Sequence, residues 1–149
     1  MDNNEISLNG STATWTMAPT QGEVLGTYTG SFQFRCFLNP TQLLESGREY
    51  RSLLGNMGAQ ASETEQNVAF ALSQLRYRIV KAPPFWESTK QDSAYGGDIP
   101  DLNILVLILE KALKAEEMFK ENVQREREAI LDRSIKSAEE LLQKQQGGE

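Results

Sequence analysis

Carboxylate pairs are the first residues to weigh for chemistry, because two carboxyl groups held together can divide acid and base roles between them. The chain has two adjacent pairs, Glu116-Glu117 and Glu139-Glu140. Both lie in helix-forming sequence, where adjacent residues point in different directions, so neither pair converges on one site and a solvated face is expected. Asp92, Asp98 and Asp101 surround Gly96-Gly97 in a way that suggests calcium. Their spacing does not match an EF-hand loop, and no acidic residue closes it at the required distance, so turn and helix-capping roles are expected. Cys36 is the single cysteine and there is no His anywhere in the chain. A thiol nucleophile would lack its usual base, and most transition-metal sites and triads are removed as well. Gly26, Gly30 and the threonines between them are followed by no Gly-Lys-Ser/Thr, so they do not form a phosphate loop. Arg76, Arg78 and Lys81 beside Tyr77 would suit nucleic acid, but a formal net charge of −6 opposes that use. The expectation is a non-enzymatic chain with no catalytic, cofactor-binding or metal-ligating residue.

The remaining chemistry is that of surfaces. Ala82-Pro83-Pro84-Phe85-Trp86 and, further on, Tyr95 place three aromatics in a Pro- and Gly-rich stretch. Two roles are open: capping the chain's own core, or anchoring in a partner's pocket, where aromatics dominate interface energetics. A second set lies near the C-terminus. Leu131, Ile135, Ala138 and Leu142 follow at 4, 3 and 4 spacing, a coiled-coil-like seam in otherwise charged sequence. Two heptads are fewer than the three or four that define a coiled coil by sequence. Phe85, Trp86, Tyr95, Leu131, Ile135, Ala138 and Leu142 are the expected interface residues.

The elements that position these residues read as α+β: a small antiparallel hairpin or sheet packed on helices, with a long C-terminal helix. Ala13, Trp15 and Met17 alternate with threonines, and Tyr28, Phe32, Phe34, Cys36 and Leu38 alternate with Thr27, Thr29, Ser31, Gln33 and Arg35. This period of two predicts a half-buried hairpin over about 11–38. Ala18–Glu23 with Pro19 and Gly22 reads as its turn, and Gly30 as the mark of a bulge. Asn39-Pro40-Thr41-Gln42 opens a helix over about 40–54, with Leu43, Leu44, Gly47, Tyr50, Leu53 and Leu54 on one face. Ser62-x-x-Glu65 opens a second over about 62–80, with Val68, Leu72, Leu75 and Ile79 inward, stopped by Pro83-Pro84. An aromatic loop spans 81–100. After Pro100 no Pro or Gly intervenes until Gly147, so a helix is expected from about 101, capped by Asp98 or Asp101. Its core candidates are Leu102, Leu105, Leu109, Ala112 and Leu113. A run of about 45 helical residues would be about 65–70 Å long, more than the width of a small domain. An α+β domain over 1–119 and a projecting helix with a frayed tail over 120–149 are therefore expected.

Acidity is uneven: Asp2, Glu5 and Glu23 are the only charges before Arg35, whereas the C-terminal third interleaves both signs. The polar, acidic start is unlike a secretory signal, and Leu102–Leu109 is too short an apolar run to span a bilayer. No membrane and no specific nucleic acid are expected as partners.

The order of motifs carries a resemblance. Gly26-x-Tyr28-x-Gly30-x-Phe32-x-Phe34, Asn39-Pro40-Thr41-Gln42, Ala71-Leu72-x-x-Leu75 and Ala82-Pro83-Pro84-Phe85-Trp86 precede a charged C-terminal helix. Over about 26–113 the chain resembles the small structural and assembly proteins of tailed bacteriophages, and within that set it is most similar to tail assembly chaperones. The resemblance implies a virion component of capsid, neck or tail, or a transient tail assembly chaperone absent from the mature particle. It implies a place in the virion, or in the host cytoplasm during assembly, and partners among other phage structural proteins and copies of the chain itself. It assigns no catalytic residue. A cellular helical adaptor, dimerising through residues 120–146 alone, is the competing reading.

Overall fold

The computed structural model describes residues 6–24, 26–87 and 100–147. The chain divides into two compact units, Met1–Glu117 and Met118–Glu149. The elements in order are β1 (Ile6–Asn9), β2 (Thr12–Gln21), β3 (Thr27–Arg35), α1 (Pro40–Leu54), a 3-10 turn (Gly55–Gln60), α2 (Glu63–Arg78), β4 (Ile79–Lys81), α3 (Pro84–Glu87) and α4 (Leu102–Gly147). The four strands form one antiparallel sheet in the order β1-β2-β3-β4. The fold is α+β, with the long C-terminal helix.

Alternation along β2 and β3 builds the core. Trp15 lies opposite Phe32 and Ala13 opposite Phe34, so the apolar residues of both strands share one face. Ala13, Trp15, Met17, Phe32, Phe34 and Cys36 are buried there. The rings stack, Trp15 on Phe32 at 5.5 Å and Phe32 on Phe34 at 5.8 Å between centroids. On the opposite face Thr14 and Thr16 are exposed, and Thr16 shares a hydrogen bond of 3.1 Å with Ser31.

The hairpin is longer than expected. Ala18–Glu23 is not the turn, because β2 runs through Pro19 to Gln21 and the reversal falls between Gly22 and Gly26. A proline fits inside this strand because the register breaks there: Met17 faces Gly30 but Thr20 faces Tyr28, so Ala18 and Pro19 together oppose Thr29. A bulge of this kind leaves one residue out of the ladder, and Pro has no amide hydrogen to lose. The nearby carbonyls are taken up by side chains, Thr29 Oγ1 donating to Met17 O and Thr20 Oγ1 to Ala18 O, each at 2.8 Å. Gly30 sits beside this bulge with φ of 143°, and a Cβ there would come within 2.3 Å of Pro83 Cβ. The strand therefore needs glycine at this point, both for its backbone angle and for the close approach of Pro83.

Both expected capping boxes are formed. Asn39 Oδ1 accepts from Gln42 N at 2.8 Å while Gln42 Oε1 accepts from Asn39 N at 3.0 Å. Ser62 and Glu65 do the same for α2. Helix α1 packs on α2, with Tyr50 edge-on to Phe70, yet Leu43, Leu44 and Leu53 stay at the surface. The second helix stops at Arg78 rather than near residue 80. Ile79 leaves helical geometry and starts β4, opposite Phe34. Two β-branched residues, Ile79 and Val80, favour an extended backbone. Arg35 also donates to Tyr77 O at 2.7 Å, supplying a cation at the helix end.

The start of α4 belongs to the first unit and is buried along one side. Ile104, Leu105, Ile108, Ala112 and Ala115 are buried, at spacings of one helical face. Of the expected core residues, Leu105 and Ala112 are on that face. Leu102 is exposed, and Leu109 and Leu113 are half-buried. The apolar run is continuous enough to support two faces, and a buried carboxylate at Asp101 selects the other one.

Candidate interaction surfaces

Asp101 is fully buried, and its surroundings explain why. Its carboxylate accepts from the Tyr28 hydroxyl at 2.6 Å and from the amide of Val24. Its own carbonyl accepts the first amides of α4, from Ile104 and Leu105. Asn103 adds two bonds, accepting from Glu23 N and donating to Gln21 O, each at 3.2 Å. The first turn of α4 thus clasps the β2–β3 turn, and a Cβ on Gly22 would meet the Asp101 carboxyl at 2.3 Å. The Tyr28 phenol is pushed up to about 12, first by its bond to Asp101 and then by burial. A neutral phenol donating to a carboxylate that also holds a backbone amide is a structural clasp with both oxygens engaged.

The other chemistry-bearing residues are likewise dispersed into structure. Arg78 is buried, with Nε donating to Gln74 Oε1 at 2.9 Å and Nη1 3.3 Å from Glu116 Oε1. Glu117 pairs instead with Lys114 at 3.6 Å, so the two adjacent glutamates face different ways. Arg76 pairs with Glu49 at 2.7 Å, and Lys81 is exposed, so the basic run forms no common surface. Cys36 is buried and its thiol is pushed up, by burial foremost and then by Glu116, which is the opposite of nucleophile activation. Among the described residues no group of His, Cys, Asp and Glu is placed to hold a metal ion. Asp92, Asp98 and Tyr95 lie outside the described residues.

The two aromatics of α3 pack against the sheet, and Trp86 is in the core. Trp86 is 2% exposed and meets Phe32 edge-on at 6.4 Å. Phe85 is half-buried, edge-on to Tyr28 at 5.0 Å and to Phe32 at 5.9 Å. Of the two roles open from sequence, capping of the chain's own core is the one this geometry realises.

The second unit is different. Within Met118–Glu149, Ile130, Leu131, Ile135, Leu141 and Leu142 are 48–62% exposed. Placing Ile135 and Leu142 at position a of a heptad and Leu131 and Ala138 at d puts Ser134 and Leu141 at g and Ile130 and Ser137 at c. These positions are contiguous around a helix, so the apolar and small residues make one broad arc. Asp132, Arg133, Lys136, Glu139 and Glu140 occupy the other side. Of the expected residues, Leu131 and Ala138 lie within the arc and Ile135 and Leu142 along one edge of it. Ile130 and Leu141, absent from that expectation, widen it. The doublets Ile130-Leu131 and Leu141-Leu142, eleven residues apart, are the signal for them in the sequence. Such an arc stays exposed only at a cost of apolar surface in water, which a partner would remove. Among the described residues no helix is long and apolar enough to cross a membrane. No family model, curated protein or solved structure matches this chain.

Proposed function

We propose that the chain is a non-enzymatic structural or assembly component of a tailed-phage particle, working through protein–protein interfaces in the virion or, during assembly, in the host cytoplasm. One observation carries the reading: the second unit presents a broad apolar arc, Ile130 to Leu142, whose large residues are 48–62% exposed. The first unit supports it, since its buried charges serve as clasps between elements and Cys36 is sealed in the core. Partners are other phage structural proteins and copies of the chain itself. Mass spectrometry of purified particles of the encoding phage tests this. The chain should be present at a fixed ratio to other particle proteins. Absence from particles together with co-purification with tail proteins from infected cells would make it a transient tail assembly chaperone. Absence from both would end the phage reading.

A further inference from the structure

We infer that the apolar arc of the second unit takes another copy of the same helix, lying parallel and in register. The inference rests on the reading of this arc as an interface and names its occupant. Net charge is the first ground. Residues 118–147 carry six Lys and Arg and six Asp and Glu, so they sum to zero, while the whole chain carries −6. A copy of the chain is therefore repelled by the first unit's acidity but not by this helix. The seam itself is the second ground. With Ile135 and Leu142 at a and Leu131 and Ala138 at d, every apolar layer meets its own equivalent in a parallel pair, and β-branched Ile135 at a beside Leu131 at d is the combination that favours two parallel strands, which Leu142 and Ala138 do not repeat.

Flanking charges are the third ground, and they choose the direction. In a parallel pair, position g of one helix meets the following e of the other. Arg127 then faces the second copy's Asp132, twice by symmetry. Neither residue has an ion-pair partner among the described residues of its own chain. The antiparallel arrangement that also fills all four layers sets Leu131 against Leu142 and Ile135 against Ala138. It brings Asp132 against Glu139 twice along one flank, which is repulsive. Toward the N-terminal side, Lys120 and Arg125 would face each other in the parallel pair, and Glu121, Gln124 and Glu128 occupy the seam. The pairing is thereby confined to about residues 127–146.

Light scattering and sedimentation velocity on the full chain, over a range of concentrations, test it. The expected result is a mass of two chains that falls to one on dilution. Replacing Leu131 and Ile135 by Asp should give a monomer with unchanged circular dichroism from the first unit. R127E should raise the dissociation constant about tenfold, from the loss of two exposed pairs and their replacement by like charges, and R127E/D132R should restore it. Under oxidising conditions A138C should form an interchain disulfide, whereas Q143C, on the polar side, should not. Buried Cys36 does not compete. A monomer at every concentration, or a charge swap that fails to restore association, overturns the proposal. Either failure leaves the particle composition of the preceding section as an independent result, so loss of self-pairing and loss of the phage reading are separable.

Discussion

Replacing Asp101 by Asn tests the clasp between α4 and the hairpin with minimal change of shape. The carboxylate accepts from Tyr28 and from Val24, and Asp101 itself is fully buried. An amide keeps one oxygen and presents an NH2 to the other donor. One hydrogen bond to a charged acceptor is lost, worth about 1.5–3 kcal/mol, and the new NH2 is left facing another donor. Removing a buried charge also relieves its desolvation, which offsets part of the cost. The expected destabilisation is about 2–4 kcal/mol. Urea unfolding followed by Trp15 and Trp86 fluorescence reads it directly, since both indoles are buried in this unit. Tyr28→Phe should cost less, about 1–2 kcal/mol, because the hydroxyl is removed with its bond. The double variant should show a coupling of at least about 0.5 kcal/mol, as residues sharing a contact do. An Asp101→Asn protein within about 0.5 kcal/mol of the parent, or strictly additive effects, would refute the clasp, because such values are those of unconnected surface sites.

Three further outcomes follow from the same unit. Gly30→Ala should destabilise by about 2–5 kcal/mol in urea unfolding, combining a backbone angle unsuited to a side chain with a clash against Pro83. Trp86→Ala should cost about 3–5 kcal/mol as a buried aromatic, and a protein of unchanged stability would show that it does not cap the core. The pH dependence has a definite sign. The folded Tyr28 phenol is pushed up to about 12, so its contribution is fully present below the ordinary tyrosine value near 10 and is lost as pH rises from about 10 to about 12. Urea midpoints measured across that window should fall, and Tyr28→Phe should flatten the slope.

Much of the first unit was legible because its signals are local. Period-two alternation placed Ala13, Trp15, Met17, Phe32 and Phe34 on one buried face, and the pairs Asn39–Gln42 and Ser62–Glu65 opened both helices where expected. What escaped depends on contacts distant in sequence. Pro19 reads as a turn unless the bulge opposite Thr29 is known. Ile79 continues the apolar period of α2, and only pairing with β3 draws it into a strand. In the apolar run of α4 almost any phase gives a plausible core face, and the bond of Asp101 to a turn some seventy residues earlier sets the actual one. The strand β1 had a readable signal in Gly10-Ser11, a two-residue loop with glycine at the first central position as tight hairpins favour, that the aromatic pattern further on overshadowed. For the C-terminal surface, the seam Leu131–Leu142 was legible from spacing. Its width was not, because a strict 3-4 count discards Ile130 and Leu141, which lie one residue off.

The central claim is that residues from 120 onward serve association and not the fold of the first unit. A chain ending at Phe119, compared with the full chain by urea unfolding and sedimentation velocity, tests it most directly. An unchanged unfolding midpoint, unchanged Trp fluorescence and loss of association are expected. Unfolding of the shortened chain, or association equal to that of the full chain, would contradict it.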